Sequence, residues 1–230
     1  MSNVDAGSSP VLKSEELMGS PIGSSFGYAF SYDNKIGGLN PNSRLLLRFS
    51  QDFAGLGGSV KYLKTEALAV AETKVLNEEV TLRAIFEGGA IVTSGGYTSR
   101  VTDRYFGGSK IRGFEANGLG PRDLGGLAPN QDALGGNMFA VARFEADFPL
   151  GLPEEYGIRG GAFLDVGSIW GLDNDRGGII DDSAKLRSTI GLSVLWDTPI
   201  GPLRFNFSKA IKKEAYDREQ SFDLTISTKF

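Results

Sequence analysis

Apolar and polar residues alternate along most of the chain with a period of two, the spacing of strands rather than helices. In residues 24–32, Phe26, Tyr28, Phe30 and Tyr32 share one face, and Ser25, Gly27, Ala29 and Ser31 the other. In 44–53, Leu45, Leu47, Phe49 and Phe53 oppose Arg44, Arg48, Ser50 and Asp52. The same contrast recurs in 80–92 and in 138–148, where Met138, Ala140, Ala142, Phe144, Ala146 and Phe148 oppose Arg143, Glu145 and Asp147. It sharpens in 158–166, 190–197, 203–208 and 222–230. Residues 59–74 read as a further strand whose alternation slips near Leu63, as a bulge would cause. The pattern predicts about nine strands of roughly 9–14 residues.

Alternation alone fits a soluble sandwich with its apolar face inward as well as a membrane barrel with that face outward. Two features tilt the balance. Soluble strands average about 5–6 residues, whereas tilted membrane strands need about 9–11. Aromatic residues also stand near strand ends, at Tyr32, Phe53, Phe148, Trp170, Trp196 and Phe230, where the two membrane interfaces favour them. The expected fold is an all-β, antiparallel transmembrane barrel, with about nine strands of a larger barrel present.

Short connections (149–156 and 197–202) alternate with long ones (94–136, 171–187 and 212–220). Long loops of such barrels face outside and short turns face the periplasm. Residues 1–23 then form an external loop or a disordered leader, and 24–230 the barrel segment, with no helix and no second domain expected. No stretch approaches the roughly 20 apolar residues of a membrane helix, and residues 1–20 lack the apolar core of a signal peptide.

Composition removes much chemistry. There are no cysteines and no histidines, which excludes thiolate metal sites, Cys nucleophiles and a Ser-His-Asp triad. The net charge of −4 gives no reason to expect a nucleic-acid partner. No cofactor is expected. The 32 glycines are about twice the usual share.

Five segments carry a resemblance. The longest loop holds Gly107-Gly108-Ser109-Lys110-Ile111-Arg112-Gly113-Phe114. Later come Phe163-Leu164-Asp165-Val166-Gly167-Ser168-Ile169-Trp170 and Leu195-Trp196-Asp197-Thr198-Pro199-Ile200-Gly201-Pro202-Leu203-Arg204, and the chain ends on an aromatic in residues 222–230. In order, these resemble the conserved loop, a motif strand, the penultimate hairpin and the C-terminal signal strand of BamA-type outer-membrane assembly barrels, the bacterial surface antigen superfamily. Ile111 stands where that family usually has Val. Residues 47–58 resemble the α-proteobacterial type.

The resemblance implies a loop folded into the barrel lumen, with Ile111, Arg112, Gly113 and Phe114 as its motif. Arg112 would pair with Asp165 and Glu145, which the alternation independently places on the polar face; spacing alone reads Arg112 as a solvated loop residue. Phe222, Leu224, Ile226 and Phe230 would form the signal strand. That strand would meet the first strand weakly, so that the barrel opens sideways and templates client strands; an ordinary closing strand reads the same way in sequence.

The implied function is non-enzymatic folding and insertion of outer-membrane proteins. Its expected partners are outer-membrane lipids, unfolded clients and lipoprotein subunits of an assembly complex. The family has sixteen strands and periplasmic domains, so the chain reads as part of a longer protein, as a truncated reading frame, or as a barrel that closes by another route. Alternatives are a secretion or autotransporter-assembly barrel of the same superfamily, and a passive channel. Other features have plain readings. Lys209, Lys212, Lys213 and Arg218 fit a solvated hairpin tip, Asp173, Asp175, Asp181 and Asp182 a polar external loop, and Glu145 with Asp165 a salt-bridge site rather than a catalytic pair.

Overall fold

The period-two segments fold into long antiparallel strands. A computed structural model of the chain describes residues 5, 7–34, 42–108, 110–125, 131–174, 177–199 and 201–226. In chain order the elements are α1 (Pro10–Leu17), β1 (Gly23–Asp33), β2 (Ser43–Gly58), β3 (Tyr62–Val75), β4 (Val80–Thr93), β5 (Arg122–Asp123), β6 (Met138–Pro149), β7 (Ile158–Trp170), β8 (Ile180–Asp181), β9 (Arg187–Thr198), β10 (Gly201–Lys212) and β11 (Phe222–Ile226), with a 3-10 turn at Glu154–Tyr156. Nine strands form one sheet in the order β1-β2-β3-β4-β6-β7-β9-β10-β11, while β5 and β8 pair separately. Every pairing is antiparallel between chain neighbours, apart from the two short strands carried in loops.

Register carries the alternation across the sheet. Phe30 lies opposite Phe49, Phe49 opposite Ala67, Ala67 opposite Gly88, and Gly88 opposite Ala140. The apolar side chains therefore gather on one face, and that face is open: Phe30 is 68% exposed, Phe86 51% and Leu192 63%. Aromatic pairs stud it, such as Phe26 stacked on Phe53 at 5.1 Å and Phe86 edge-on to Phe144 at 5.8 Å. Among the described residues no layer covers it, whereas the polar face is roofed by the long loops. A sandwich would bury the apolar face against a second sheet; the opposite arrangement is that of a barrel wall facing lipid.

Up-and-down connectivity puts α1 and the β4–β6, β7–β9 and β10–β11 connections at one end of the sheet. The shorter β3–β4, β6–β7 and β9–β10 connections lie at the other. The β3–β4 turn is tight enough that Leu76, Asn77 and Glu78 all take positive φ, at 53°, 57° and 69°.

Three expectations change. The chain does contain a helix: Ser9 caps α1 by accepting from the Val11 amide at 3.2 Å, Pro10 opens it, and Gly19 at φ +70° follows its end. At eight residues it is too short to show helical periodicity in sequence. β3 pairs without a break from Tyr62 to Thr73, so Leu63 marks no bulge; the irregularities lie between Gly23 and Ser25 and between Ala210 and Lys212. Lys209 and Lys212 belong to strand β10 and not to a hairpin tip. The longest loop is also tied sideways, through β5 to β8.

Candidate functional site

The roofed face carries a ladder of alternating charge that only the register reveals. Arg44 lies opposite Glu72, Glu72 opposite Arg83, and Arg83 opposite Glu145. Opposite charges on neighbouring strands attract. Arg83 donates Nε to Glu72 at 2.9 Å and Nη1 to Glu145 at 2.8 Å, and Arg44 closes on Asp33 at 2.5 Å. From β10, Arg204 reaches Glu145 at 3.0 Å.

Nearer the long-loop end the same face turns apolar, with Ile91, Phe139, Val141 and Ile169 buried there. The β4–β6 loop comes down on this layer. Its Tyr105, Ile111, Phe114 and Leu119 join those four in one buried cluster. Burying apolar side chains from both partners holds the loop without directional bonds. Lys110 then pairs with Glu87 and lies 4.3 Å from the centre of the Phe139 ring. Glu87 also takes Arg143 at 2.9 Å.

Arg112 sits one residue beyond Ile111, where the apolar layer meets the charged one. Its Nε and Nη2 grip both oxygens of Asp165 at 2.8 and 2.6 Å, its backbone amide donates to Asp165 at 3.0 Å, and Nη1 reaches Glu145 at 2.8 Å. The planar guanidinium matches a carboxylate's two oxygens, which makes this the strongest form of the pair. It also stacks 3.7 Å above the Phe163 ring. Asp165 is fully buried. Glu145 thus accepts from three arginines (Arg83, Arg112 and Arg204), while Arg112 is the only cation among the described residues that pairs with Asp165.

Two glycines make room. A Cβ at Gly191 would collide with the Phe163 ring, so the platform under Arg112 requires glycine on the adjoining strand. Gly113 takes φ +88°, and a Cβ there would lie 2.9 Å from Thr189. The loop is also strapped from the side. Gln220 donates its amide to Gly113 at 3.1 Å, Glu115 donates to Arg218 at 3.1 Å, and Phe114 bridges Glu219. That β10–β11 connection is in turn fixed by Arg187 on Asp217 at 3.0 Å, both side chains being buried.

At the outer end, α1 locks onto the root of the same loop. Glu15 and Arg104, both buried, pair at 2.5 Å, and Glu15 also accepts the Val101 amide at 2.9 Å. Ser9 donates to Asp123 and Asp132, each at 2.6 Å. In the β7–β9 loop, Asp173 accepts from Ser99 at 2.5 and 2.9 Å and from Thr93 at 2.8 Å. Burial would raise the Asp173 carboxyl, but these bonds outweigh it and hold its pKa below the ordinary value.

The structure thus brings Ile111, Arg112, Gly113, Phe114, Glu145 and Asp165 together. Phe222 and Leu224 lie exposed on β11, on the apolar face. Ile226 pairs with Leu203 through its backbone, and Phe230 and Asp175 lie outside the described residues. The alternation in 80–92 and 203–208 puts Arg83 and Arg204 on the polar face but does not give their partners. Sequence reasoning missed Phe163 as a platform, and missed the Glu15–Arg104 and Arg187–Asp217 pairs. Among the described residues no cluster of three or more acidic side chains could hold a metal ion. No helix there is long and apolar enough to cross a membrane, which leaves the strands' case untouched.

Residues 2–230 match the Omp85 superfamily domain. The chain is 33% identical to the outer membrane protein assembly factor BamA of Neorickettsia risticii, over 80% of this chain and 24% of that protein. It is 27% identical to BamA of Neisseria meningitidis, over 62% of this chain and 21% of that one. It is also 28% identical to the sorting and assembly machinery component 50 homolog A of Xenopus laevis, over 70% and 35%. The chain therefore spans between about a fifth and about a third of these relatives' lengths. Among solved structures it resembles BamA from Haemophilus ducreyi lacking POTRA domains 1-3, with TM-score 0.71 and 21% identity, over 90% of this chain and 42% of that one. The shared fold makes the roofed face the inner wall of a barrel and the open apolar face its outer wall.

Proposed function

The chain belongs to the Omp85 superfamily, and from that premise we propose that it serves in folding and inserting β-barrel proteins into the outer membrane. On this reading it is the C-terminal part of a larger assembly barrel. Its partners are unfolded barrel clients, the lipoprotein subunits of an assembly complex and the surrounding lipid. The step is conformational and not chemical. Glu145 and Asp165 are both engaged by arginines, which suits them to hold a loop and not to shuttle protons.

The observation that carries the reading is the seat of Arg112. A passive channel needs an open lumen. Here the longest loop lies on the inner wall, packed through Ile111 and Phe114 and clasped by Arg112 to Asp165. On this reading β11, which among the described residues pairs with β10, is the strand that meets the client; a strand whose edge is free can accept another strand through its backbone groups.

The test replaces the native protein with an Arg112→Glu variant and follows the folded fraction of outer-membrane proteins by their heat-modifiable mobility. The expected result is a fall in folded client at unchanged client synthesis. Adding Asp165→Arg should restore part of it by reversing the pair. Normal client folding with Arg112→Glu alone would refute a role for the clasp in assembly.

A further inference from the structure

Strand β10 carries two lysines that the charged interior does not use. Lys209 lies opposite Ile190, which is itself exposed on the apolar face. Beyond it the strand is irregular: Ala210 pairs with Thr189, but the next partner, Ser188, is met by Lys212 and not by Ile211. A strand without that extra residue would turn Lys212 inward. The bulge shifts the alternation by one and puts Lys212 in the outward register, with Ile211 62% exposed beside it. Both lysines are exposed.

The neighbouring cations behave differently. Lys185 pairs with Asp181 and Glu214, Arg187 with Asp217, and Lys213 with Glu219. Among the described residues the Lys209 and Lys212 side chains make no ion pair or hydrogen bond. They stand at the long-loop end of β10, just beyond exposed Phe207 and Phe222. Charge on a lipid-facing strand is costly at mid-depth and tolerated near the interface, and lysine stems extend their ammonium groups toward the head groups. The pair therefore marks the head-group level of this end.

On the same outer wall lies an apolar trough of about 790 Å³, floored by Ala67, Ala69, Gly88, Ala140 and Ala142. It extends to Val166, and the register runs from Val166 to Ser188 and from Ser188 to Lys212. Two strand spacings, about 10 Å, separate its end from Lys212. We propose that this wall holds one net anionic phospholipid, its head-group phosphate between Lys209 and Lys212 and an acyl chain in the trough. Charge complementarity selects the head group, and the small side chains provide the width of a hydrocarbon chain. The site needs only that the wall faces lipid and is independent of what the barrel assembles.

The test reconstitutes the protein containing this chain in phosphatidylcholine bilayers. It compares spin-labelled phosphatidic acid with spin-labelled phosphatidylcholine in the motionally restricted fraction at the protein surface. Phosphatidic acid should be enriched several-fold over phosphatidylcholine, and the enrichment should vanish in the Lys209→Gln/Lys212→Gln variant. Ala142→Phe, which fills the trough, should lower the restricted fraction of phosphatidic acid while heat-modifiable mobility reports a folded barrel. Soluble glycerol phosphate should not displace the labelled lipid. Equal association of the two lipids, enrichment that survives loss of both lysines, or displacement by glycerol phosphate would each overturn the proposal.

Discussion

Removing the Arg112 side chain strands a charge. In Arg112→Ala, Asp165 loses the two guanidinium bonds of 2.8 and 2.6 Å and keeps only the backbone amide at 3.0 Å. Its side chain has no exposed surface, so water cannot replace the lost donors without opening the wall. Breaking a buried pair from one side costs about 3–5 kcal/mol. Glu145 adds little to that figure, because Arg83 and Arg204 still neutralise it. The penalty therefore falls on Asp165, and Asp165→Ala should be the milder change, since Arg112 retains Glu145 at 2.8 Å and the Phe163 ring.

A double-mutant cycle isolates this. Denaturant unfolding in detergent micelles should show Arg112→Ala less stable by about 3–5 kcal/mol. The double variant Arg112→Ala/Asp165→Ala should recover part of the loss, with a coupling on the order of 2 kcal/mol. Additive effects, or an Arg112→Ala change within about 0.5 kcal/mol, the ordinary range of surface substitutions, would refute the argument that Asp165 depends on this one cation.

Three further expectations follow from neighbouring contacts. Glu15→Ala leaves Arg104 buried with only neutral partners and should loosen α1 by about 3 kcal/mol; faster amide exchange across Pro10–Leu17, with the sheet unchanged, checks it. Gly191→Ala sets a methyl group against the Phe163 ring and should cost about 1–3 kcal/mol by overpacking, measured by the same unfolding assay, whereas alanine at Gly7, which has open space around it, should be neutral. Asp173, with its pKa depressed in the folded state, adds stability that is complete above the unfolded carboxyl value of about 3.9 and is lost as pH falls through the lower folded value; the protection of the Ser99 amide against exchange, taken relative to its intrinsic rate, should fall over that acid range, and in Asp173→Asn that part of the fall should disappear.

The division into two faces was legible from period two alone, because a strand has no other way to sort Arg143, Glu145 and Asp147 from Ala142, Phe144 and Ala146. The number of long strands was legible for the same reason. Which face turned outward was not, since lipid and a second sheet reward the same alternation; the exposure of Phe30 and Leu192 decides it. Partnerships were not legible either. The ladder from Arg44 through Glu72 and Arg83 to Glu145 depends on register between strands whose side chains carry no label for it. The pairing of Arg112 with Asp165 came from resemblance, because spacing across 53 residues holds no such information. Glu15 and Arg104 lie 89 residues apart, and α1 lacks an apolar stripe long enough to register as a helix.

The loop is held in two ways that differ in kind, and the difference bears on how the wall behaves. The apolar cluster around Ile111 and Phe114 is non-directional and tolerates small sliding. The clasp is directional: two carboxylate oxygens, one planar guanidinium and one aromatic ring meet in a single arrangement. A buried ion pair contributes little net stability relative to apolar packing, yet leaving it half-made is expensive. The clasp therefore adds less to how tightly the loop binds than to where it binds. That position is also coupled to the sheet edge. Gln220, whose amide holds Gly113, lies two residues before β11 begins at Phe222. A displacement of that strand large enough to move Gln220 must break its bond to Gly113 or pull the backbone beside Arg112 out of register with Asp165. The edge strand and the lumen clasp are one mechanical unit, joined through the β10–β11 connection that Arg187 and Asp217 keep rigid.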